Sequence, residues 1–477
     1  MKLFLFNIYL SLATLTAAFC FSVFLSPVSA KNLHGKVVKV ADGDTLTLVD
    51  INPSALQVIS ERYDLRTVTG VASHPSVLEK AGAKDAEMIL AVTNCDEVNM
   101  IACQVAYTLF HTPTKIARIR EIEYLKNSPL FAQEALPVDV LISPDRLVTE
   151  QIQQLIKHPG ALQVLDFADG KVQMVVIRAS YSGVLEGNSL RDLKNKLKDI
   201  EYKIAIIYSS GKPIIPNGDT TIKADDEIFF ICSQKSMNKL LQHIRIKDKP
   251  LKNIMISGGG NIGLRLAESL ENEYKIKLLE VDQKKASHAA EKLKNTIVLH
   301  GDATDEELLS EENIDGCDVF CALTNADEVN IISSMLAKRL GARKVMALIN
   351  RAAYVDLVQS NTIDIAISPQ QATIGSLLAH VRKGDVVVVH SLRRGAAEAI
   401  EAIAHGNESS SKVVGKKIQD IELPQGTTIA AIVRGNDVLM VKKKTIIEAN
   451  DHVILIVSDK KHVAKVESLF QVDITFL

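Results

Sequence analysis

The sequence predicts an α/β fold, with two doubly wound parallel-sheet domains that are each followed by a small α+β domain. Two observations lead to this prediction. Short apolar segments alternate with helical stretches, an order that is typical of parallel sheets. In addition, the seven-residue motif Thr93–Asn99 recurs 231 positions later as Thr324–Asn330, which indicates an internal duplication.

Further matches follow in the same order along the chain. They pair Gly70 with Gly301, Tyr124 with Tyr354, residues 142–144 with 367–369, and residues 223–226 with 448–451. Because the offset stays between 225 and 231, the chain consists of two copies of one unit of about 225 residues.

Each unit begins with apolar segments of strand length and ends with β-rich runs separated by turns. The first part is predicted to form strands at Leu46–Val49, Met88–Val92 and Ile116–Ile119, and in the second copy at Asn253–Ile256, Lys275–Leu279, Thr296–Leu299, Val319–Leu323 and Val345–Ile349. A helix is predicted at Asn330–Leu340, and the later parts contain strands such as Glu227–Cys232 and His452–Val457.

Composition argues against several classes of function. The 55 Lys and Arg balance the 57 Asp and Glu, so we expect no nucleic-acid partner held by a general basic surface. The six cysteines form no paired CxxC motifs, so neither a metal site nor a disulfide framework is predicted. We expect these cysteines to be small buried apolar residues.

The amino terminus differs from the rest of the chain. The uncharged apolar stretch Leu3–Leu25, followed by small residues, has the layout of a signal peptide and is also long enough for a spanning helix. The next segment, Gly35–Leu48, resembles the start of secreted thermonuclease-like proteins, which implies a calcium-ligand aspartate at Asp42 or Asp44. Because that resemblance stops at Asp50 and the later Arg and Glu positions are missing, we interpret the segment as a hairpin-like strand pair.

A Gly-x-Gly-x-x-Gly motif stands between an apolar strand and a helix-compatible segment. There Gly258 permits a tight turn, Gly260 lets the backbone approach a pyrophosphate, and Gly263 lets the helix pack on the sheet. We therefore predict that nucleotide phosphates lie at the helix N-terminus. The predicted binding residues are Gly258, Gly259, Gly260, Asn261, Ile262 and Gly263. The alternative is a strand-to-helix turn that serves packing alone.

Four further positions follow neighbouring strands of the second copy. A carboxylate at Glu280 can accept hydrogen bonds from an adenosine ribose and would repel a 2′-phosphate, so NAD is favoured over NADP. Asp302 could approach the adenine end, and Thr324 or Asn325 the phosphates or the nicotinamide ribose. Each of the last three could equally be a helix cap.

The first copy keeps the later positions of this site. Asp50 stands at the place of Glu280, and Thr93 and Asn94 match Thr324 and Asn325. The glycine positions fall in and just beyond the signal-like segment, so the first strand, the phosphate loop and the first helix are replaced by other sequence. Either Gly35–Leu48 stands in as a strand, or the domain lacks a central strand and loses packing.

These patterns divide the chain into five segments. They are a signal-like or membrane-anchor segment (1–34), a first parallel-sheet domain without its glycine loop (35–155), a small domain (156–245), a second parallel-sheet domain with the loop (251–380) and a second small domain (381–477).

From about residue 50 to 477 the chain resembles the TrkA family of peripheral Trk potassium-uptake subunits, which are built of tandem Rossmann-like RCK (KTN) domains and TrkA-C domains. The resemblance rests on residues 258–263, 278–280, 323–330, 367–373 and 392–400. It implies binding of NAD(H), with ATP as a further nucleotide, a ring-like homo-oligomer, and a membrane potassium transporter of the TrkH/TrkG kind as partner. It also implies that Asp50, Thr93, Asn94 and Arg118 are first-domain nucleotide residues, although Arg118 could equally be a solvated charge at a strand end.

The sequence favours a regulatory protein over an enzyme. An NAD-dependent oxidoreductase, the main alternative, needs a substrate domain with an acid or base beside the nicotinamide. The duplicated layout offers two nucleotide domains with small modules instead, and a secreted nuclease rests on the first fifty residues alone. We therefore expect a cytoplasmic protein peripheral to the inner membrane, although the signal-like segment conflicts with this location.

Overall fold

The computed structural model describes residues 38–42, 45–126, 128–132, 134–180, 183–244, 251–358, 363–381, 385–392 and 397–472. The signal-like segment and Asp44 lie outside the described residues. By its backbone contacts the chain divides into two units. One contains the described residues up to Val148 with Thr324–Ile332 and Ala347–Thr373, and the other contains Thr149–Leu323, Ser333–Met346 and the described residues from Ile374 onwards.

The first domain contains a six-stranded sheet. Its strands are β1 (Val38–Asp42), β2 (Thr45–Asp50), β3 (Arg66–Thr69), β4 (Met88–Ala91), β5 (Thr114–Arg118) and β6 (Val140–Ile142), in the order β3-β2-β1-β4-β5-β6. Its helices are α1 (Pro53–Ser60), α2 (Pro75–Lys80), α3 (Asp96–Phe110), α4 (Ile122–Lys126) and α5 (Pro144–Lys157). Alternating strands and helices of this kind bury a core between sheet and helices, which here includes Ile89, Cys103 and Ala117.

The central strand of this sheet runs against its neighbours. β1 pairs antiparallel with both β2 and β4, whereas the other described pairs of the sheet are parallel. Asp42 lies opposite Thr45, so β1 and β2 form the hairpin that the sequence predicts. Of the two alternatives for the amino-terminal segment, the structure shows the replacement strand, and the sheet has its central strand.

A small antiparallel sheet follows. Its strands are β7 (Ala161–Phe167), β8 (Val172–Arg178), β9 (Tyr202–Ser209), β10 (Lys212–Ile214) and β11 (Glu227–Ser233), in the order β10-β9-β11-β8-β7. The helices α6 (Leu190–Lys196) and α7 (Gln234–Ile244) accompany it.

The second six-stranded sheet repeats the first without the reversal. Its strands are β12 (Asn253–Ser257), β13 (Lys275–Glu280), β14 (Ile297–His300), β15 (Val319–Ala322), β16 (Lys344–Leu348) and β17 (Ile365–Ile367), in the order β14-β13-β12-β15-β16-β17. Its helices are α8 (Asn261–Leu270), α9 (Gln283–Lys292), α10 (Glu306–Glu311), α11 (Asp327–Arg339), α12 (Ala352–Val358) and α13 (Pro369–Val381). β12 pairs parallel with β13 and β15, so the predicted α/β class is confirmed.

The last sheet repeats the first small one. Its strands are β18 (Val386–Leu392), β19 (Ala397–Ile403), β20 (Thr427–Arg434), β21 (Asp437–Met440) and β22 (His452–Val457), in the order β18-β19-β22-β20-β21, and α14 (Val463–Glu467) follows. One apolar core joins residues of both small sheets, among them Phe167, Phe229 and Ile456. The two small domains therefore bury each other's apolar faces.

Candidate functional site

The glycine loop has the geometry that its spacing predicts. Gly258 has φ +104°, a conformation that side chains rarely adopt, and its N–H donates to the Leu279 carbonyl at 2.8 Å. A Cβ at Gly263 would lie 1.9 Å from the carbonyl oxygen of Gly258, so only glycine lets α8 pack this close to the loop. The loop thus depends on glycine at both ends.

Gly260 differs from these two residues because no contact requires it to be glycine. It is exposed, has φ −72°, and a Cβ there would meet nothing within 4 Å. It is the N-cap of α8 and supplies no side-chain acceptor for the first-turn N–H groups. Open space beside a helix N-terminus is where a diphosphate can approach the backbone, so the loop fits a dinucleotide.

Glu280 is fixed beside the loop. Its Oε2 accepts a hydrogen bond from the Gly259 N–H at 2.6 Å, and its Oε1 accepts one from the Asp282 N–H at 2.9 Å. The side chain is only 7% exposed. Since each carboxylate oxygen can accept more than one hydrogen bond, Glu280 can still receive ribose hydroxyls in a set orientation.

The remaining predicted residues of the second domain have local partners or lie exposed. Oδ1 of Asp302 accepts from the N–H and the hydroxyl of Thr304, both at 2.8 Å, while Asp305 is the N-cap of α10. The Thr324 hydroxyl donates to Oδ1 of Asn330 at 2.7 Å, and Asn325 is exposed. Asp302 therefore closes a turn before α10, and its contact with adenine stays a prediction, as do those of Thr324 and Asn325.

The repeated motif also contains two residues whose roles the sequence analysis missed. Asn330 is fully buried and donates to the carbonyls of Thr324 (2.8 Å) and Leu348 (2.9 Å). Asp327 accepts from the N–H groups of Asn350 (2.9 Å) and Arg351 (2.8 Å). These hydrogen bonds connect the loop after β15 to the loop after β16. Both residues recur in the two copies of the motif, and this recurrence could have indicated their structural role.

The first copy repeats these bonds. Asn99 donates to the carbonyls of Thr93 (3.0 Å) and Arg118 (2.8 Å), and Oδ2 of Asp96 accepts from the N–H groups of Arg120 and Glu121, both at 2.8 Å. The matched bonds show that both copies build the loops at these strand ends in the same way.

The predicted residues of the first domain lie at the ends of three strands. Asp50 ends β2, is buried, and accepts from the Asn52 N–H at 2.7 Å. Gly70 donates to the carbonyl of Asp50 at 2.9 Å, just as Gly301 donates to that of Glu280 at 3.1 Å. The backbone hydrogen bond at the acidic position is therefore the same in both copies.

At the strand ends of the first domain, two buried polar atoms have no hydrogen-bond partner among the described residues. They are Oδ1 of Asn94, after β4, and Nε of Arg118, at the end of β5. Burial, with the nearby charge of Arg120, lowers the pKa of Arg118 to about 10. Unsatisfied buried polar atoms are costly, and these two belong to residues that the resemblance assigns to a nucleotide.

Most of the cysteines that the structure describes are unreactive. Cys103, Cys232, Cys317 and Cys321 are buried, as expected, whereas Cys95 is half-buried. Burial raises the pKa of Cys103, Cys232 and Cys317 to about 12, so these thiols are poor nucleophiles at neutral pH. Within the described ranges, no helix is long and apolar enough to cross a membrane.

Known proteins resemble both the sequence and the fold. The TrkA-N domain family matches residues 33–144 and 254–369, and the TrkA-C domain family matches residues 174–245 and 408–471. The Trk system potassium uptake protein TrkA of Halomonas elongata is 57% identical over 431 residues, which are 90% of this chain and 94% of that protein. The protein of the same name from Vibrio alginolyticus is 55% identical over 439 residues, which are 92% and 96% of the two chains.

Among solved structures, the GsuK RCK domain superposes with a TM-score of 0.56 at 19% identity and covers 89% of both chains. The GsuK channel bound to NAD gives 0.55 at 18% identity, over 90% of this chain and 74% of that one. At this identity the likeness shows the fold. Together with the curated relatives and the paired domain matches, it leads to one conclusion: the chain belongs to the TrkA family of Trk system potassium uptake proteins.

Proposed function

We propose that this chain is an NAD(H)-binding regulatory subunit of a Trk-type potassium uptake system. The observation that carries the proposal is the glycine loop, with open space at Gly260 in front of the N-terminus of α8 and the carboxylate of Glu280 fixed beside it. The structure of the GsuK channel bound to NAD supports the ligand, and the potassium uptake relatives support the process.

The residues of the loop have distinct tasks in this proposal. Backbone N–H groups at the start of α8 bind the diphosphate, and Glu280 accepts the hydroxyls of the adenosine ribose. A 2′-phosphate would bring further negative charge against Glu280, so the site prefers NAD(H) to NADP(H). The assignment of ATP as a further ligand, and of Asp50, Thr93, Asn94 and Arg118 to a nucleotide, stays a prediction.

Regulation follows if the nucleotide favours one of two arrangements of the domains. A ligand shifts such an equilibrium only by its difference in affinity for the two states. We propose that a membrane potassium transporter of the TrkH/TrkG kind senses this shift in a homo-oligomer of the chain, at the cytoplasmic face of the inner membrane where NAD(H) is available.

Calorimetric titration of the full chain with NADH tests the proposal. We expect saturable binding that Gly260→Asp abolishes and Glu311→Gln, at an exposed position at the end of α10, retains, because only the aspartate places a side chain and a negative charge where the diphosphate lies. Loss of NADH-dependent potassium uptake in cells carrying Gly260→Asp would extend the result to transport. Equal binding by the two variants would refute the loop as the site.

The alternative of an NAD-dependent oxidoreductase finds no support in the relatives described above, which are named as potassium uptake proteins. Substrate-dependent oxidation of NADH by the purified chain would instead favour the oxidoreductase.

A further inference from the structure

The central strand of the second sheet leads the chain to the ligand-binding edge. β12 runs parallel to its neighbours, and its last residue, Ser257, pairs with Leu279 and Ala322 near their carboxyl ends. The glycine loop and the first turn of α8 come directly after it. Backbone donors for a diphosphate therefore lie at this edge.

The central strand of the first sheet crosses the same position in the opposite direction. Its first residue, Val38, pairs with Val49 and Ala91, at the carboxyl ends of β2 and β4. Its last residue, Asp42, pairs with Thr45 at the start of β2. The chain thus leaves β1 at the edge away from Asp50, and β2 is the next described element.

The first helix that the structure describes in this domain, α1, offers no free N-terminus in place of that of α8. α1 begins only after β2, and Oδ1 of Asn52 accepts from the first-turn N–H groups of Ser54 (3.0 Å) and Ala55 (3.3 Å). A side-chain cap occupies these groups, whereas the N-cap of α8 is Gly260, which has no side chain. In the described part of the first domain, no helix starts from the central strand.

We infer that each chain binds one dinucleotide, at the second parallel-sheet domain, although it contains two domains of this kind. The inference rests on the proposed function and adds the number of sites to it. Asp50, Thr93, Asn94 and Arg118 keep the places of a nucleotide site, but the described residues of the first domain offer no helix N-terminus after the central strand for the diphosphate, so this domain holds no dinucleotide. The first domain then contributes to the architecture, and the second alone senses NAD(H).

The test is the stoichiometry of NADH binding to the full chain. Equilibrium dialysis and calorimetry with a protein concentration measured by amino-acid analysis should give one NADH per chain in a single class of sites. Gly260→Asp should weaken that class roughly 100-fold or more, because a carboxylate would face the diphosphate. Glu311→Gln, an exposed position at the end of α10, is the matched control and should bind as the unsubstituted chain does.

The outcomes separate this inference from the proposed function. Two NADH per chain, or one equivalent that a folded Gly260→Asp variant still binds with the affinity of the unsubstituted chain, would overturn the single-site inference and leave the function intact. No saturable binding to a chain with a cooperative thermal transition would overturn both. Circular dichroism melting of each variant distinguishes loss of the site from loss of the fold.

Discussion

Gly260 and Gly263 lie three residues apart, but the space around their Cβ positions differs. The space beyond Gly260 is open, whereas the position of a Cβ at Gly263 lies against the carbonyl oxygen of Gly258. The glycine at 260 thus leaves room for a ligand, and the glycine at 263 is needed by the fold itself. The same substitution at the two positions therefore separates binding from stability.

We expect Gly263→Ala to lower the free energy of unfolding by about 1–3 kcal/mol or more, because a contact of 1.9 Å with backbone forces α8 away from the sheet. Urea denaturation followed by circular dichroism measures this change. Gly260→Ala is the matched control and should unfold at nearly the same urea concentration as the unsubstituted chain. Equal stability of the two variants would contradict the close packing of α8.

Glu280→Gln should change which nucleotide binds. Removing the charge weakens hydrogen bonds to the ribose hydroxyls, so NADH affinity should fall roughly 10- to 100-fold. NADPH affinity should fall less, because the repulsion of its 2′-phosphate is also removed. Competition titrations with both nucleotides give the ratio. An unchanged preference would mean that Glu280 does not face the ribose, and Glu311→Gln again controls for a general effect of charge.

At the scale of elements, β18 of one small domain brings a histidine against β7 of the other. Nε2 of His390 donates to the Asp166 carbonyl at 2.9 Å, and its ring meets the edge of Phe167 at 4.9 Å between centroids. Burial lowers the pKa of His390 below its ordinary value of 6.5, although the carboxylates of Asp166 and Glu401 act in the opposite direction. The folded pair of domains thus favours the neutral ring.

This burial predicts a loss of stability in acid. Because the unfolded chain takes up a proton at His390 more readily than the folded chain, this contribution is complete above pH 6.5 and falls as the pH drops below that value. The slope is at most about 1.4 kcal/mol per pH unit for one group.

The duplication supplies the control for this prediction. Leu165 occupies the corresponding position of the first copy, 225 residues earlier, so His390→Leu replaces the ring with a residue that the chain already uses there. Melting temperatures measured from pH 5 to 8 should depend less on pH in His390→Leu. If the melting temperatures of the two chains depend on pH in the same way, protonation of His390 does not affect the stability of the contact between the small domains.

At the scale of the whole molecule, the two copies share one scheme but are not equivalent. They agree in sheet order, in the Asn and Asp bonds of the repeated motif, and in an acidic residue at the end of the second strand. They differ in the direction of the central strand. The reversed strand keeps the first sheet complete, but no helix follows it directly among the described residues.

Two truncations test the role of that strand. Removal of residues 1–34 leaves β1 in place, so NADH binding at the second domain and the melting temperature should not change. Removal of residues 1–44 deletes β1 and exposes the facing edges of β2 and β4, so the first domain should unfold at a lower temperature. Calorimetric melting and NADH titration of both variants measure this. Loss of binding after the shorter truncation would show that the amino-terminal segment belongs to the nucleotide fold.

From the sequence alone we could predict the α/β class, the duplication, the glycine loop and its acidic partner. These features are local: strand and helix periods follow from residue order, and the positive φ of Gly258 and the close approach at Gly263 demand glycine wherever the turn occurs. The predicted strands agree with the observed ones to within a residue or two, as at Met88–Ala91 and Ile297–His300.

The sequence could not predict the direction of β1, the hydrogen bond from the Gly259 N–H to Glu280, or the packing of His390 against the other small domain, because all three depend on tertiary contacts. Alternating apolar residues make a strand but do not specify whether its neighbours run parallel to it, because direction depends on pairing with segments far along the chain. The same holds for the unpartnered atoms of Asn94 and Arg118, whose burial results from the packing of whole elements and not from their sequence neighbours.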